Sequence, residues 1–189
     1  MVRLVKQYHP DLLNDTHMHL AKELEAENQL HQAETHYIAA SEWKSAVQMY
    51  KNNNQWEEAY RVARGHGGGQ AAKQVAFLWA KSLNDIDAAV KLLSRFGLLN
   101  QVVDYAVECS AFDFAKELVS NAGSDMKHKL AEVKLKQAIG LEEENRFEEA
   151  ETLFLEAGKG KEAVLMYLHS GAYGDALRVA EEHVKGKNV

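Results

Sequence analysis

Residues 29–67 read QLHQAETHYIAAS, EWKSAVQMYKNNN and QWEEAYRVARGHG when the chain is divided into blocks of thirteen. The second place of each block is a bulky residue: Leu30, Trp43 and Trp56. The fifth place is small: Ala33, Ala46 and Ala59. Because these places recur with the spacing of one helix face, each block is predicted to form a helix of about ten residues that packs against its neighbours.

The same pattern returns in residues 85–123 and 146–184. Eight of the nine fifth-place residues are alanine: Ala33, Ala46, Ala59, Ala89, Ala115, Ala150, Ala163 and Ala176, with Val102 as the ninth. The last place is Ser, Asn or Gly in eight of nine blocks, and Val184 is the exception. Such residues adopt the left-handed conformation at low cost, so a tight turn is predicted after each helix.

A longer helix is predicted before each set of three blocks: Leu12–Asn28, Gln70–Asn84 and Ser124–Asn145. The chain is therefore predicted to contain three units of one long and three short helices, over about 12–67, 70–123 and 124–184. The predicted fold is all-α, a TPR-like α-solenoid of about twelve antiparallel helices over residues 1–189.

The outer two units are related by near duplication. Residues 20–66 and 137–183 align without gaps at an offset of 117, and 19 of the 47 pairs are identical. The identical pairs include two tripeptides, Ala33-Glu34-Thr35 with Ala150-Glu151-Thr152 and Arg61-Val62-Ala63 with Arg178-Val179-Ala180. The repeat pattern continues to both ends, and only residues 185–189 follow the last block. The chain is therefore interpreted as a fragment of a longer solenoid, whose cut ends could also self-associate.

Composition argues against several classes of function. The net charge is −6 and the sequence pI is about 5.8, whereas nucleic-acid binding favours a basic surface. No apolar run approaches the roughly 20 residues of a membrane-spanning helix, and the first residues do not resemble a secretory signal. Cys109 is the only cysteine, which excludes an internal disulfide and fits a reducing compartment.

Three groups of residues invite a functional reading, and a structural reading is favoured for each. Gly65–Gln70 lacks the preceding strand and the terminal GK[ST] of a phosphate loop, so it is predicted to be a flexible helix connector and a hinge. The pairs His17/His19 and His31/His36 lack the i, i+4 spacing of a helical zinc site. Cys109 is predicted to be a half-buried structural thiol.

Acidic runs begin or flank several helices: Glu57–Glu58, Glu142–Glu144 and Glu148–Glu149. Carboxylates at a helix start favour its positive end, so these runs are predicted to be solvated. Trp43, Trp56 and Trp79 are interpreted mainly as core, with binding anchors as the alternative. No catalytic, cofactor-binding or metal-ligating residue is predicted, no cofactor is expected, and an enzyme is the least favoured class.

Family resemblance is carried by particular stretches. The small–aromatic–small sets Ala33–Tyr37–Ala40 and Ala150–Phe154–Ala157 loosely resemble the second helix of a tetratricopeptide repeat. A closer resemblance links four segments to the solenoid of the intraflagellar transport protein 172 family: residues 9–50, WEEAYRVAR (56–64), AFLWAKSL (76–83) and FEEAETLFLEAGKGKEAVLMY (147–167).

This resemblance implies an interior part of a long solenoid that follows a pair of β-propellers. It implies a scaffold segment of an intraflagellar transport complex B subunit, which supports cilium assembly and transport. The implied partners are other complex B subunits and protein cargo or adjacent train units. The implied location is the cytoplasmic side of the cilium or flagellum and the basal body. A generic TPR-type peptide-binding adaptor and a coat-like solenoid remain alternatives.

Overall fold

The computed structural model describes residues 2–9 and 12–184, in which the secondary structure is helical and no strand occurs. The predicted all-α, TPR-like fold is confirmed. The chain forms two compact units, Met1–Ser82 and Leu83–Val189. Pro10 and the last residues, 185–189, lie outside the described part. The division into three repeat units stays a prediction.

The first unit contains five helices in the described residues. They are α1 (Val2–Tyr8), α2 (Leu13–Ala26), α3 (Leu30–Ala39), α4 (Trp43–Asn52) and α5 (Trp56–Ser82). Each helix packs against the next along the chain. Helix α5 holds one non-helical residue, Gly68, with φ 74° and ψ −168°.

The second unit continues the same alternation of helix and turn. It contains α6 (Ile86–Arg95), α7 (Leu99–Glu108), α8 (Phe112–Asn121), α9 (Lys127–Glu143), α10 (Phe147–Glu156), α11 (Gly160–His169) and α12 (Tyr173–Val179). A short 3₁₀ turn, Ser124–Met126, precedes α9, and a π-helical turn, Ala180–Val184, follows α12.

The predicted turns are confirmed at seven of the eight Ser, Asn or Gly residues in the last place of a block; the exception is Gly67, which lies within α5, one residue before the kink at Gly68. Ser41, Asn54, Gly97, Ser110, Gly123, Gly158 and Gly171 all have positive φ. At the first of these turns the Ser41 N–H donates to Ile38 O at 2.9 Å and the Glu42 N–H donates to Tyr37 O at 2.8 Å. These bonds satisfy carbonyl groups at the helix end, which would otherwise have no partner there.

The small residues of the repeat form the centre of each core. All nine fifth-place residues are between 0% and 3% exposed. Large neighbours such as Tyr50, Leu93, Leu118 and Phe154 fill the space around them and are at most 2% exposed. The predicted close approach of neighbouring helices at the alanine column is therefore confirmed.

The segment Gly65–Gln70 does connect two helical stretches, because α5 is helical on both sides of Gly68 and the non-helical backbone of that residue kinks the chain. One sequence-based expectation is corrected. Cys109 is exposed, not half-buried. It is the C-cap residue of α7 and not part of the helix itself.

Other expectations concern the tryptophans, the acidic runs and the membrane. Trp43, Trp56 and Trp79 are all half-buried, and the first two pack against the core of the first unit. Glu57–Glu58 and Glu148–Glu149 lie in the first turns of α5 and α10, as predicted. None of the described helices combines the length and apolarity needed to cross a membrane.

Candidate functional site: a Glu–Tyr–Arg network in each unit

A charged hydrogen-bond network joins three consecutive helices of the first unit. Glu34 of α3 is only 8% exposed and is the one buried charged residue among the described positions. The Tyr50 hydroxyl of α4 donates to Glu34 Oε2 at 2.6 Å. The Arg61 guanidinium of α5 donates to both carboxylate oxygens, at 3.1 and 2.7 Å. This two-pronged contact fixes the positions of three helices with one carboxylate.

The network keeps Glu34 ionised. Burial would raise the pKa of the Glu34 carboxyl, but hydrogen bonds from Arg61 and Tyr50, with the charge of Arg61, outweigh it and hold the pKa below its usual value. Burial and the bond to Glu34 raise the pKa of Tyr50. The network is therefore a charged, fully bonded group at neutral pH, which suits a structural role more than proton transfer.

The second unit contains the same network at the 117-residue offset. The Tyr167 hydroxyl donates to Glu151 Oε2 at 2.7 Å. Arg178 donates to Glu151 Oε1 at 3.0 Å and to Oε2 at 2.7 Å. Hydrogen bonds from Arg178, against a smaller effect of burial, lower the pKa of Glu151. The two units thus stabilise three successive helices by the same chemical means.

A group of three possible metal ligands lies in the first network, but its carboxylates are already paired with Arg61. One side-chain ligand atom from each of His31, Glu34 and Glu58 lies within 4.8 Å of the others. Arg61 pairs with Glu34 at 2.7 Å and with Glu58 at 2.6 Å. Because the guanidinium already balances both carboxylates, we assign no metal to this group.

The two units differ in one additional bond. The Tyr37 hydroxyl donates to Glu25 Oε2 at 2.6 Å, which ties α3 to α2. The equivalent residues of the second unit are Phe154 and Glu142. Phenylalanine lacks the hydroxyl, so this bond belongs to the first unit.

Two histidines meet between α2 and α3. The Nδ1 atoms of His17 and His36 are 2.8 Å apart, and the ring centroids are 5.0 Å apart. One ring must donate and the other accept, so the contact requires at least one neutral imidazole. Burial and the nearby charge of His17 lower the pKa of His36. The contact therefore favours neutral His36.

This contact predicts a pH-dependent stability. The pKa of His36 is lower in the folded state than the unfolded-state pKa of about 6.5. The contact therefore stabilises the fold fully above about pH 6.5, and this stabilisation is lost as the pH falls through the folded-state pKa. Between about pH 7.5 and pH 5, wild type is expected to lose roughly 0.5–1 kcal/mol more stability than His36→Leu, the value of one hydrogen bond. Urea unfolding across pH measures the difference. Leucine occupies the equivalent position in the second unit, Leu153, and equal pH profiles would contradict the prediction.

The Trp43 ring of α4 packs against α5 at Gly67, a residue without a side chain. A Cβ on Gly67 would lie 2.5 Å from the Ala71 Cβ and 2.7 Å from Trp43 Cζ3. Gly67 is not among the residues with positive φ, so its backbone does not require glycine. Glycine is needed here because the indole ring occupies the space that a side chain would fill.

An apolar surface lies on α11 and α12. Four large side chains are well exposed: Leu165, Leu168, Tyr173 and Leu177. Lys161, Val164, Leu165 and Ala180 line a shallow depression beside them. At the equivalent positions of the first unit, Leu165 and Leu168 are replaced by Gln48 and Lys51. The other two positions, Tyr173 and Leu177, correspond to Trp56 and Tyr60, so the two units differ at two of the four positions.

The duplication includes the members of these networks, but the sequence does not predict their contacts. Glu34 and Arg61 stand in the tripeptides that the duplication repeats, and Tyr50 is also identical to its equivalent, Tyr167. The histidine pairs considered within one helix do not meet; His17 instead meets His36 of the next helix. Contacts between helices depend on packing that a spacing rule within one helix does not describe.

Comparison with known proteins agrees with this architecture. Residues 14–171 match the family model that describes the TPR domain of intraflagellar transport proteins 140 and 172. The chain is 55% identical over 183 residues to "Intraflagellar transport protein 172 homolog" of Mus musculus and 49% identical to "Intraflagellar transport protein 172" of Chlamydomonas reinhardtii. It is 39% identical to "Intraflagellar transport protein osm-1" of Caenorhabditis elegans.

Each of these alignments covers 97% of the chain and 10% of the relative. The chain thus spans about a tenth of the length of the curated relatives it matches. The family model covers most of the chain, including both Glu34 and Glu151. The chain belongs to the family defined by the TPR domain of intraflagellar transport proteins 140 and 172.

Proposed function

We propose that this chain is a structural scaffold segment of an intraflagellar transport complex B subunit and has no enzymatic activity. The observation that carries the proposal is the match of residues 14–171 to the TPR domain of intraflagellar transport proteins 140 and 172. The intraflagellar transport names of the relatives support the same role. The proposed partners are other complex B subunits, cargo proteins and adjacent train units, on the cytoplasmic side of the cilium and at the basal body.

The chemistry of the described residues supports a scaffold. The strongest charged groups, Glu34 and Glu151, are bonded to tyrosine and arginine of neighbouring helices. Such groups hold helices in register but present no reactive atom to a substrate. The coat-like alternative makes a different prediction, since it requires binding of the chain to lipid vesicles.

Removal of residues 14–171 from the longer protein tests the scaffold role. Ciliated cells that lack the native protein would express either the intact protein or the shortened one, each with an affinity tag. The intact protein is expected to restore cilia and to co-purify with complex B subunits. The shortened protein is expected to lose one or both properties at equal abundance.

A point variant of the intact protein serves as the control for the deletion of residues 14–171. Lys161→Gln changes one exposed residue and is expected to behave as the intact protein. Normal cilium length and normal recovery of complex B subunits with the shortened protein would refute the scaffold role. Recovery of the isolated chain with floating vesicles would favour the coat-like alternative.

We also propose that the isolated chain self-associates through the apolar surface of α11 and α12. Exposed apolar patches of this kind favour association with a second copy. Sedimentation of residues 1–189 is expected to show a mass that rises with concentration. Leu165→Gln with Leu168→Lys, which copies the first unit, should shift the chain toward monomer. Ile139→Gln, at another exposed apolar residue, should leave the mass unchanged, and equal masses for all three proteins would contradict the proposal.

A further inference from the structure

The first unit contains a basic region in an otherwise acidic chain. Residues 43–82 hold six Lys or Arg against two Glu, a net charge of +4, whereas the whole chain carries −6. The two carboxylates, Glu57 and Glu58, lie in the first turn of α5, and Glu58 is paired with Arg61. The positive charge is therefore concentrated on α4 and on the rest of α5.

Helix α4 and the second half of α5 (69–82) enclose a trough within this basic region. Its apolar lining includes Trp43, Val47, Val75 and Leu78, and Lys44 and Lys51 also line it. Its volume is about 200 Å³. Sites for drug-sized ligands are usually roughly 300–1,000 Å³, so this trough is suited to a single side chain.

The two trough lysines have no acidic partner among the described residues. The Lys44 ammonium lies 5.7 Å from the centroid of the Trp43 ring, and the Lys51 ammonium donates to Gln48 Oε1 at 3.2 Å. Elsewhere the chain pairs lysines with carboxylates, as in Lys129 with Asp104 at 2.6 Å. The trough thus presents two cations that no carboxylate of the described chain neutralises.

The spacing of these lysines limits what can bind. Lys44 and Lys51 are seven residues apart, and so lie about two turns or 10 Å apart along one edge of α4. An extended peptide spans that distance in about three residues. Two acidic residues three apart could therefore pair with both lysines while an apolar side chain between them enters the trough.

The second unit lacks this arrangement. Lys161 is equivalent to Lys44, but Leu168 replaces Lys51. Glu162 follows Lys161 directly, and Glu181 and Glu182 follow α12. The basic trough is therefore a feature of the first unit and not a general consequence of the repeat.

We propose that the α4–α5 trough is a docking site for an acidic segment of a partner protein. One apolar side chain of the segment inserts beside Trp43 between Val47 and Val75, and flanking carboxylates pair with Lys44 and Lys51. Charge complementarity and the small apolar volume favour a peptide over a flat lipid surface. This binding goes beyond the scaffold role and can be measured on the isolated chain, so failure of either proposal leaves the other intact.

Fluorescence anisotropy with a defined peptide tests the docking site. The probe is a labelled ten-residue peptide of Ser and Gly that carries two Glu three residues apart and one Leu between them. Binding to residues 1–189 is expected to weaken about tenfold when Lys44→Gln and Lys51→Gln are combined, because two partly exposed charge pairs are lost. Replacement of the peptide Leu by Ser should also weaken binding.

Matched controls define the result. Lys161→Gln, at the position equivalent to Lys44, should leave affinity unchanged. Circular dichroism should show that the double variant keeps its helices, since both lysines lie at the surface. The proposal is overturned if wild type does not bind the probe, or if the double variant binds as tightly as wild type. It is also overturned if the chain binds phosphatidylserine vesicles through these lysines but not the peptide.

Discussion

Replacing Glu34 by alanine is expected to lower the free energy of unfolding by about 2–3 kcal/mol, because it leaves a buried tyrosine hydroxyl and an arginine without their acceptor. The Tyr50 side chain is 0% exposed, so its hydroxyl cannot turn to water. Arg61 is about half exposed, which keeps the loss below that of a fully buried ion pair. For a chain of this size the melting temperature should fall by roughly 4–12 °C, which calorimetry measures.

Two matched variants separate the network from ordinary surface charge. Glu58→Ala removes the other, more exposed partner of Arg61 and should cost less than about 1 kcal/mol. Glu34→Gln keeps the shape and one acceptor oxygen, so its effect should lie between the two. If Glu34→Ala and Glu58→Ala lose the same stability, the buried network does not hold the helices in the way described.

Acid provides a second readout of the same group. The pKa of Glu34 is lowered, so its stabilisation is complete above the unfolded-state value of about 4.3 and disappears as the pH falls through the folded-state value. The stability difference between wild type and Glu34→Gln should therefore shrink below about pH 4. A difference that stays constant to pH 2 would argue against an ionised Glu34.

Gly67→Ala is expected to destabilise the first unit by up to about 2 kcal/mol, although alanine is the better helix former. The added Cβ would overlap the Trp43 ring and the Ala71 Cβ, and overpacking of this kind costs about 1–3 kcal/mol. The gain in helix propensity, roughly 1 kcal/mol, offsets only part of that cost. Chemical unfolding followed by tryptophan fluorescence measures the change.

Gly65 supplies the control for this prediction. No atom lies within 4 Å of a Cβ built there, and its φ is not positive. Gly65→Ala should therefore stabilise the chain by about 0.5–1 kcal/mol. Trp43→Leu should reduce the penalty of Gly67→Ala in a double-mutant cycle, because it removes the overlapping ring. Additive effects in that cycle would show that Trp43 is not the cause.

The sequence predicts the helices and turns well because the pattern is repeated. The alanine column marks the helix contacts, and the Gly, Asn or Ser column marks the turns. It fails at Cys109 because the twelfth place of a block is the C-cap, where the direction of the side chain depends on the turn. The sequence also fails to single out Gly68, since any of the four glycines at 65, 67, 68 and 69 could leave the helical conformation.

The candidate sites were less predictable than the fold. Identity between repeats drew attention to Glu34 and Arg61, but residues 27 apart on different helices give no local signal of contact. The basic trough was hidden by the overall charge of −6, which averages over acidic helices elsewhere. Both features arise from the way neighbouring helices pack, which determines the surroundings of each side chain.

The Glu–Tyr–Arg network also makes the duplicated segment a unit that can be transferred between proteins. Each network lies wholly within one copy of the duplicated segment, 20–66 or 137–183, so the buried carboxylate of each network has its tyrosine and arginine partners in the same copy. A protein engineer could exchange the two segments, or join several in tandem, without leaving a buried carboxylate uncompensated. Such concatenated arrays would repeat the network once for every copy inserted.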